Sequence, residues 1–334
     1  MATIASPSAP VRIDLAGGTL DIHPLYIFED GSSVINIAIE PGTEVNIEKR
    51  DDKKIVLRSD DLNLTEEYLS SSEINVDSKL GLLGSAVKFF DFEYGLNIST
   101  LSHVPKGSGL AASSSMLIAL MYGLANLKGV EVEPNTFIDW CANIEARLLG
   151  IPTGKQDYYA AYFGGLNNIN FTSRGIANKN YNISELNFDI ENSIILSFTG
   201  ISHFSGTNNW AMMKRYIDDE ENSRKSMHII KETAIKMHKA VLSKNIDEIA
   251  LVLNEEWENR KKLAEGVSNE KIDKIVSNAQ KAGALASKIC GAGGGGCLIT
   301  LCHPQDREKV IESLKEAGAE ILNFEPAKCG VKIH

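Results

Sequence analysis

A chain of 334 residues with 43% hydrophobic and 23% charged residues has ordinary globular composition and is long enough for one large or two medium cores. Its net charge of −10, with acids spread along the chain and no basic tract, argues against nucleic acid as the main partner. It leaves room for a nucleotide whose phosphates are held by backbone N–H groups and a metal ion. No apolar run approaches the roughly 20 residues of a membrane-spanning helix. Met1–Pro10 lacks the basic start and apolar middle of a secretory signal. Cys141, Cys290, Cys297, Cys302 and Cys329 form no CxxC pair and no even framework, so a cytoplasmic location with reduced thiols is expected.

Along the chain, Val11–Ala16, Ser33–Glu40, Thr43–Lys49 and Lys54–Arg58 read as strands, β-branched or alternating and separated by turn residues. A helix is expected over Leu80–Phe92 and a strand over Leu96–Leu101. From Leu110 to Leu127 the positions Leu110, Ser114, Leu117, Met121 and Leu124 recur at spacings of three and four, which predicts a helix with one buried stripe. Pro134 and Asn135 announce a second helix over Thr136–Leu149. Gly164–Phe171 reads as a strand and the polar Thr172–Asn182 as a connector. A strand Ile194–Phe198, helical patterns over Glu220–Leu242 and Ile246–Leu263, and a helix near Glu270–Ala282 follow. The end carries a glycine run, a strand Cys297–Cys302, a helix Gln305–Ala317 and two short strands. With no repeat period, this predicts an α+β protein of two domains, residues 1–175 and 176–334.

Three segments carry chemistry. In Pro105-Lys106-Gly107-Ser108-Gly109-Leu110-Ala111-Ala112-Ser113-Ser114-Ser115 the glycines permit a tight turn and close approach of a large anion. A helix starting next would point its unpaired N–H groups and positive dipole end into that loop. The serine hydroxyls suit phosphate oxygens or magnesium. The bland alternative is a flexible turn with a capping serine, and the placement between a strand and a strongly periodic helix favours phosphate. The run Gly291-Ala292-Gly293-Gly294-Gly295-Gly296 fits GxGxxG, but a strand follows it where a dinucleotide-binding motif needs a helix. Ordering so many glycines is entropically costly, which favours a loop lying close against a ligand or another loop. Glu145, near the apolar face of its helix, needs a partner such as a metal ion or a basic side chain. Asp157 follows the turn Gly150–Gln156 and, taken alone, reads as a helix N-cap. Gly150–Lys155 is one residue short of a P-loop and is followed by no Ser or Thr.

Taken together, three ordered motifs resemble the GHMP kinases, the family of galactokinase, homoserine kinase, mevalonate kinase and phosphomevalonate kinase. Pro10–Asp21 resembles the family's substrate motif, Pro105–Ser115 its phosphate loop, and Lys288–Cys297 its C-terminal glycine motif. Gly154–Asn167 and Phe198–Ser202 look most like the branch containing D-glycero-D-manno-heptose 7-phosphate kinase. The resemblance implies a two-domain fold with a C-terminal ferredoxin-like part, ATP and Mg²⁺ as cofactors, and a small-molecule acceptor, with monomer and homodimer both open. It implies an anomeric hydroxyl of a sugar or sugar phosphate as nucleophile, with a non-sugar alcohol such as mevalonate, or a nucleotide sensor without turnover, as alternatives.

Residue by residue, the resemblance makes Asp157 the catalytic carboxylate and Arg12 the basic group that keeps it ionised. It makes Ser113 and Glu145 magnesium ligands, and the backbone from Gly107 to Leu110 the phosphate cradle. Asp21, with Gly17 and Gly18 before it and His23 after it, falls on the acceptor side. Gly291–Gly296 is implied to pack beside the phosphate loop. The chain reads Gly17-Gly18-Thr19-Leu20-Asp21 where the heptose branch reads Gly-Gly-Gly-Thr-Asp and galactokinase reads Gly-Glu-His-Thr-Asp. His203 stands where some relatives carry an arginine and is a candidate for a substrate phosphate.

Overall fold

The strand-forming segments of the first third assemble around one long strand. The computed structural model describes residues 3–186, 189–202 and 205–334. Its first sheet holds β1 (Thr3–Ala5), β2 (Pro7–Ala16), β3 (Ser32–Lys49), β4 (Ile55–Ser59), β5 (Leu64–Tyr68), β6 (Leu96–Ser102), β7 (Leu166–Thr172) and β8 (Gly175–Tyr181). β3 is the spine. β2 runs antiparallel along one side of it, while β7 pairs with its first half and β6 with its second. The two strands expected at Ser33–Glu40 and Thr43–Lys49 are therefore one. Pro41-Gly42 does not break it, because β2 shifts register opposite, between Ala9 and Val11, and a Cβ on Gly42 would meet the Ala9 carbonyl at 2.1 Å. The turn residues mark an irregularity within pairing, not its end.

The polar segment Thr172–Asn182 is not a connector. β8 forms the second arm of a hairpin with β7, exposed on its outer face, and polarity there reports an edge strand. The second sheet has the order β10 (Ala284–Ile289), β11 (Cys297–Cys302), β9 (Ile194–Phe198), β12 (Glu320–Leu322), every pair antiparallel. With the helices between β9 and β10 and the helix between β11 and β12, this is a ferredoxin-like arrangement with extra helices. The last short strands, β13 (Glu325–Pro326) and β14 (Lys332–Ile333), return to the first sheet and pair with β3 and β2.

Helices cover both sheets. After α1 (Leu25–Phe28) come α2 (Gly81–Phe90), α3 (Ala112–Lys128), α4 (Pro134–Leu149) and α5 (Gln156–Phe163), which share a core with one face of the first sheet. α6 (Ile183–Leu186) and α7 (Ile190–Ser193) lead into β9. Beyond it lie α8 (Ser205–Asp218), α9 (Ser223–Ser243), α10 (Ile246–Arg260), α11 (Glu270–Lys281) and, after β11, α12 (Arg307–Glu316). A second core joins the sheets: Ile13, Leu15, Ile35 and Ile37 pack with Leu196, Ile299, Met237 and Leu253.

α3 is buried more completely than one stripe. Leu117, Ile118, Ala119, Leu120, Met121 and Leu124 are all inaccessible, as in a helix packed on several sides. Gly123 is what lets it lie on the sheet, since a Cβ there would meet Ile47 and Pro7 at 2.8 Å. It ends in a Schellman motif, with Val130 N–H donating to the Ala125 carbonyl and Gly129, at φ +67°, donating to Asn126. α4 begins at Pro134, which fits the first helical turn because no intrahelical partner awaits its missing N–H.

Candidate functional site

The loop before α3 has positive φ at every second residue: Gly107 (+70°), Gly109 (+71°) and Ala111 (+71°). This alternation turns successive N–H groups to one side and makes an anion-binding concavity. Ala111 carries a Cβ, so its conformation costs about 1 kcal/mol and must be held by its surroundings. Ala111 is the N-cap of α3 and no side chain caps that end, so first-turn N–H groups remain open toward the loop. The loop is pinned from behind. Arg12 N–H donates to the Leu110 carbonyl (3.1 Å), and Arg12 Nη1 to the Gly109 carbonyl (2.5 Å).

The glycine run closes over this loop. Cys297 N–H donates to the Ser108 carbonyl at 2.7 Å, and a Cβ on Gly296 or Gly109 would lie 2.6 or 2.7 Å from a carbonyl of the opposite loop. Gly296 N–H bonds Ile201, Gly294 N–H bonds Val267, and Asn208 Nδ2 bonds the Ala292 carbonyl. The run leads into strand β11, so no dinucleotide-binding turn is formed.

β2 and α5 bring Arg12 and Asp157 together across 145 residues. Arg12 Nε and Nη2 both lie 2.7 Å from Oδ1 of Asp157. Oδ2 has no partner among the described residues. Asp157 lies in the first turn of α5, where its side chain caps nothing. Burial pushes its carboxyl above the usual range, and Arg12 pulls against that without cancelling it. Asp21, 1% exposed, accepts from Gln156 N–H at 2.9 Å, and a β-bridge from Ile22 to Gly154 clamps the two segments. Burial pushes Asp21 up to about 6, against that hydrogen bond.

Glu145 on α4 receives three hydroxyls: Ser113 on Oε1 (2.6 Å), Ser114 on Oε2 (2.8 Å) and Tyr158 on Oε2. Among the described residues no cation contacts it. Burial pushes its carboxyl up, and the three donors only partly offset this. Hard oxygen donors beside an uncompensated carboxylate and a phosphate cradle are what a magnesium site requires. No group of three or more His, Cys, Asp or Glu gathers among the described residues. Mg²⁺ commonly completes its shell with phosphates and water, so one carboxylate and a hydroxyl fit it.

A single cavity of ≈ 690 Å³ is lined by the polar Arg12, Thr19, Asp21, Gln156, Asp157 and Arg260 and by the apolar Leu80, Leu83, Met116, Leu148 and Leu149. The loop Gly107–Ala111, with Ser113, Ser114 and Glu145, lies on its wall, and Gly291 and Ala292 line it from the glycine run. Gly17 and Gly18 precede Asp21. A Cβ on Gly18 would fall 2.5 Å from Asp14 and 2.7 Å from Arg260. His23 is exposed and packs edge-on against Tyr26, outside the cavity lining. His203 lies outside the described residues.

A buried ion network behind the site was not anticipated. Lys288 Nζ lies 2.9 Å from Asp14 Oδ2 and 3.3 Å from Glu256, and it donates to the Asp14 carbonyl. Arg260 meets Glu256 at 2.9 Å and donates to the Gly18 and Gly291 carbonyls. All four side chains are at most 1% exposed. Burial alone would raise Asp14, but Lys288, then Arg260 and Arg12, more than reverse it. The signals were a lone lysine in the apolar Ala284–Ile289 strand and a Glu–Arg pair four apart on α10.

Residues 81–165 match the N terminal domain of the GHMP kinases, and residues 237–320 match the GHMP kinases C terminal. The chain is 33% identical, over 97% of its length and 96% of the relative's, to a D-glycero-alpha-D-manno-heptose 7-phosphate kinase of Campylobacter jejuni. Among solved structures, a D-glycero-D-manno-heptose 1-phosphate kinase from Bacteroides thetaiotaomicron superposes with a TM-score of 0.81 at 26% identity, covering 99% of each chain. A sugar kinase structure from C. jejuni superposes with a TM-score of 0.77 at 30% identity, covering 99% of this chain and 98% of its own.

Proposed function

The chain belongs to the GHMP kinases, and we propose that it transfers the γ-phosphoryl group of Mg-ATP to a hydroxyl of a sugar phosphate, with a heptose 7-phosphate as acceptor and its anomeric hydroxyl as nucleophile. The observation that carries this reading is the one-sided pairing of Asp157. Arg12 occupies Oδ1 with two nitrogens and leaves Oδ2 of a cavity-lining carboxylate without a protein partner.

Oδ2 accepts the proton of the attacking hydroxyl, or holds that hydroxyl in line as charge develops. Burial favours this by raising the carboxyl's basicity. Arg12 anchors Asp157 and the Gly109 carbonyl at once, so the acceptor base and the phosphate loop keep a fixed separation. The backbone from Gly107 to Ala111 and the open end of α3 receive the phosphates. Ser113 and Glu145 would hold magnesium, which would neutralise charge on the phosphate oxygens. The apolar lining residues Leu80, Leu83 and Met116 suit the base, and Asp21 takes a sugar hydroxyl. The similarity to heptose phosphate kinases supports the acceptor class.

ADP release in a coupled assay, over heptose phosphates, hexoses, uronic acids and mevalonate, tests the proposal. Turnover with the heptose phosphate well above the others is expected, and Asp157→Asn lowers kcat by roughly 10²–10⁴-fold with nucleotide affinity little changed. Mevalonate as the preferred acceptor overturns the substrate class, and near-normal turnover by Asp157→Asn overturns the catalytic assignment.

A further inference from the structure

Gln156 stands between the two acceptor-side carboxylates in a way the reaction has not yet used. Its main chain is fixed at both ends: N–H donates to Asp21 Oδ2 at 2.9 Å, and the carbonyl accepts from Asn36 Nδ2 at 3.1 Å. Its side chain is the opposite. The residue is 5% exposed and lines the cavity; Oε1 is shut off from solvent with no hydrogen-bond partner, and Nε2 makes no hydrogen bond among the described residues. The Gln156 amide lies close against Gly18, where a Cβ would come within 3.0 Å of Nε2. Buried polar groups in folded proteins are almost always satisfied, so a wholly unused amide on a cavity wall marks a place where a ligand supplies the partner.

We infer that Gln156 is a specificity-determining residue whose side-chain amide hydrogen-bonds a sugar hydroxyl neighbouring the one that is phosphorylated. The inference rests on the sugar-phosphate reading above and adds to it the residue that reads the ring. The chemistry of the amide selects the class of group. It is neutral, offers the two donor protons of Nε2 and, once its terminal torsion turns Oε1 outward, one acceptor, and so matches a hydroxyl or a vicinal diol without the preference for anions that a lysine or arginine would bring. Position selects the neighbourhood. Gln156 immediately precedes Asp157, and its N–H holds Asp21, so its amide faces hydroxyls of the ring that Asp157 addresses at one atom. Gly18 makes the approach possible, which gives the Gly17-Gly18 pair a role in shaping the acceptor pocket as well as the turn.

The test is Gln156→Leu, with steady-state kinetics on a heptose 7-phosphate and its singly deoxygenated analogues. No protein group bonds the Gln156 amide, so removing it strands no partner and the urea midpoint should hold. The expected result is an acceptor KM raised about tenfold with the ATP KM unchanged. One deoxy analogue that wild type discriminates against should be used by the variant as well as the parent sugar, a loss confined to a single ring position. Gln156→Met keeps the chain length while removing the amide, and should give the same pattern independently of packing. An unchanged acceptor KM with discrimination intact overturns the inference while wild-type sugar turnover leaves the function standing. A wild type that phosphorylates no sugar overturns both.

Discussion

Two buried carboxylate clusters in this protein are neutralised by different means. Around Glu145 the donors are the hydroxyls of Ser113, Ser114 and Tyr158, all uncharged. Around Asp14 and Glu256 the donors are Lys288 and Arg260, both charged. The first carboxylate is pushed up in pKa and the Asp14 carboxyl is held down. Hydroxyls satisfy lone pairs but supply no countercharge, so the Glu145 cluster is hydrogen-bonded and still electrostatically incomplete. The Asp14 cluster is balanced in charge without any ligand, although Asp14 Oδ1 is left without a hydrogen bond. Under the proposed function, the difference separates a site that would take a cation from a clamp between β2, β10 and α10.

The largest effect should come from removing the clamp's shared cation. Lys288→Met leaves Asp14 and Glu256 buried with Arg260 and the weaker influence of Arg12, and should cost about 3–5 kcal/mol in urea unfolding. A loss under about 1 kcal/mol would show that the network is not holding the two sheets together, and the contrast would break on that side. Next comes Glu145→Gln. The Mg²⁺ concentration for half-maximal activity should rise by about tenfold or more, the scale on which even outer-shell partners of a metal ligand act. Stability without Mg²⁺ should be unchanged or slightly raised, because an uncompensated buried carboxylate becomes a neutral amide. If Glu145→Gln instead unfolds the protein as Lys288→Met does, both clusters are structural.

The smallest effect is a pH slope. With its folded pKa raised above 4.5, Glu145 binds its proton in the native state after the unfolded chain has lost it. Its contribution therefore makes stability fall as pH rises through the window above 4.5. Asp21, pushed up from 3.8 to about 6, acts in the same direction between those values. Asp14, held down, acts in reverse: the stability it contributes is lost as pH falls through its folded value. Urea midpoints across this range should fall less with rising pH in Glu145→Gln and Asp21→Asn than in wild type. A steeper fall in either would contradict the assignment.

The glycine-rich loop before α3, the helix behind it and the strand after the glycine run were legible because each depends on neighbours in sequence. Glycine spacing, helical periodicity and a strand pattern act over one or two turns of chain. Errors fell where polarity or a turn residue had a tertiary explanation. Pro41-Gly42 sits inside β3 because β2 shifts register opposite it, and Thr172–Asn182 is polar because β8 lies at an edge. The one buried stripe expected on α3 is too narrow because Ile118 and Leu120, off that stripe, are buried by packing on the helix's other sides. Lys288 in an apolar strand was visible, but its partners were not.

By itself, the sequence determined that a glycine-rich loop leads into a buried helix, that the glycine run cannot be a dinucleotide turn, and which acids sit beside turns or apolar faces. The tertiary structure alone decided how those acids are used. Asp14 and Lys288 are 274 residues apart, and Arg12 and Asp157 are 145 apart. Whether a carboxylate meets a hydroxyl, a guanidinium or an open cavity follows from how sheets and helices dock, since charge compensation acts through space and leaves no period in the chain. That docking set Glu145 without a countercharge, Asp157 with one free oxygen and Gln156 with an unused amide.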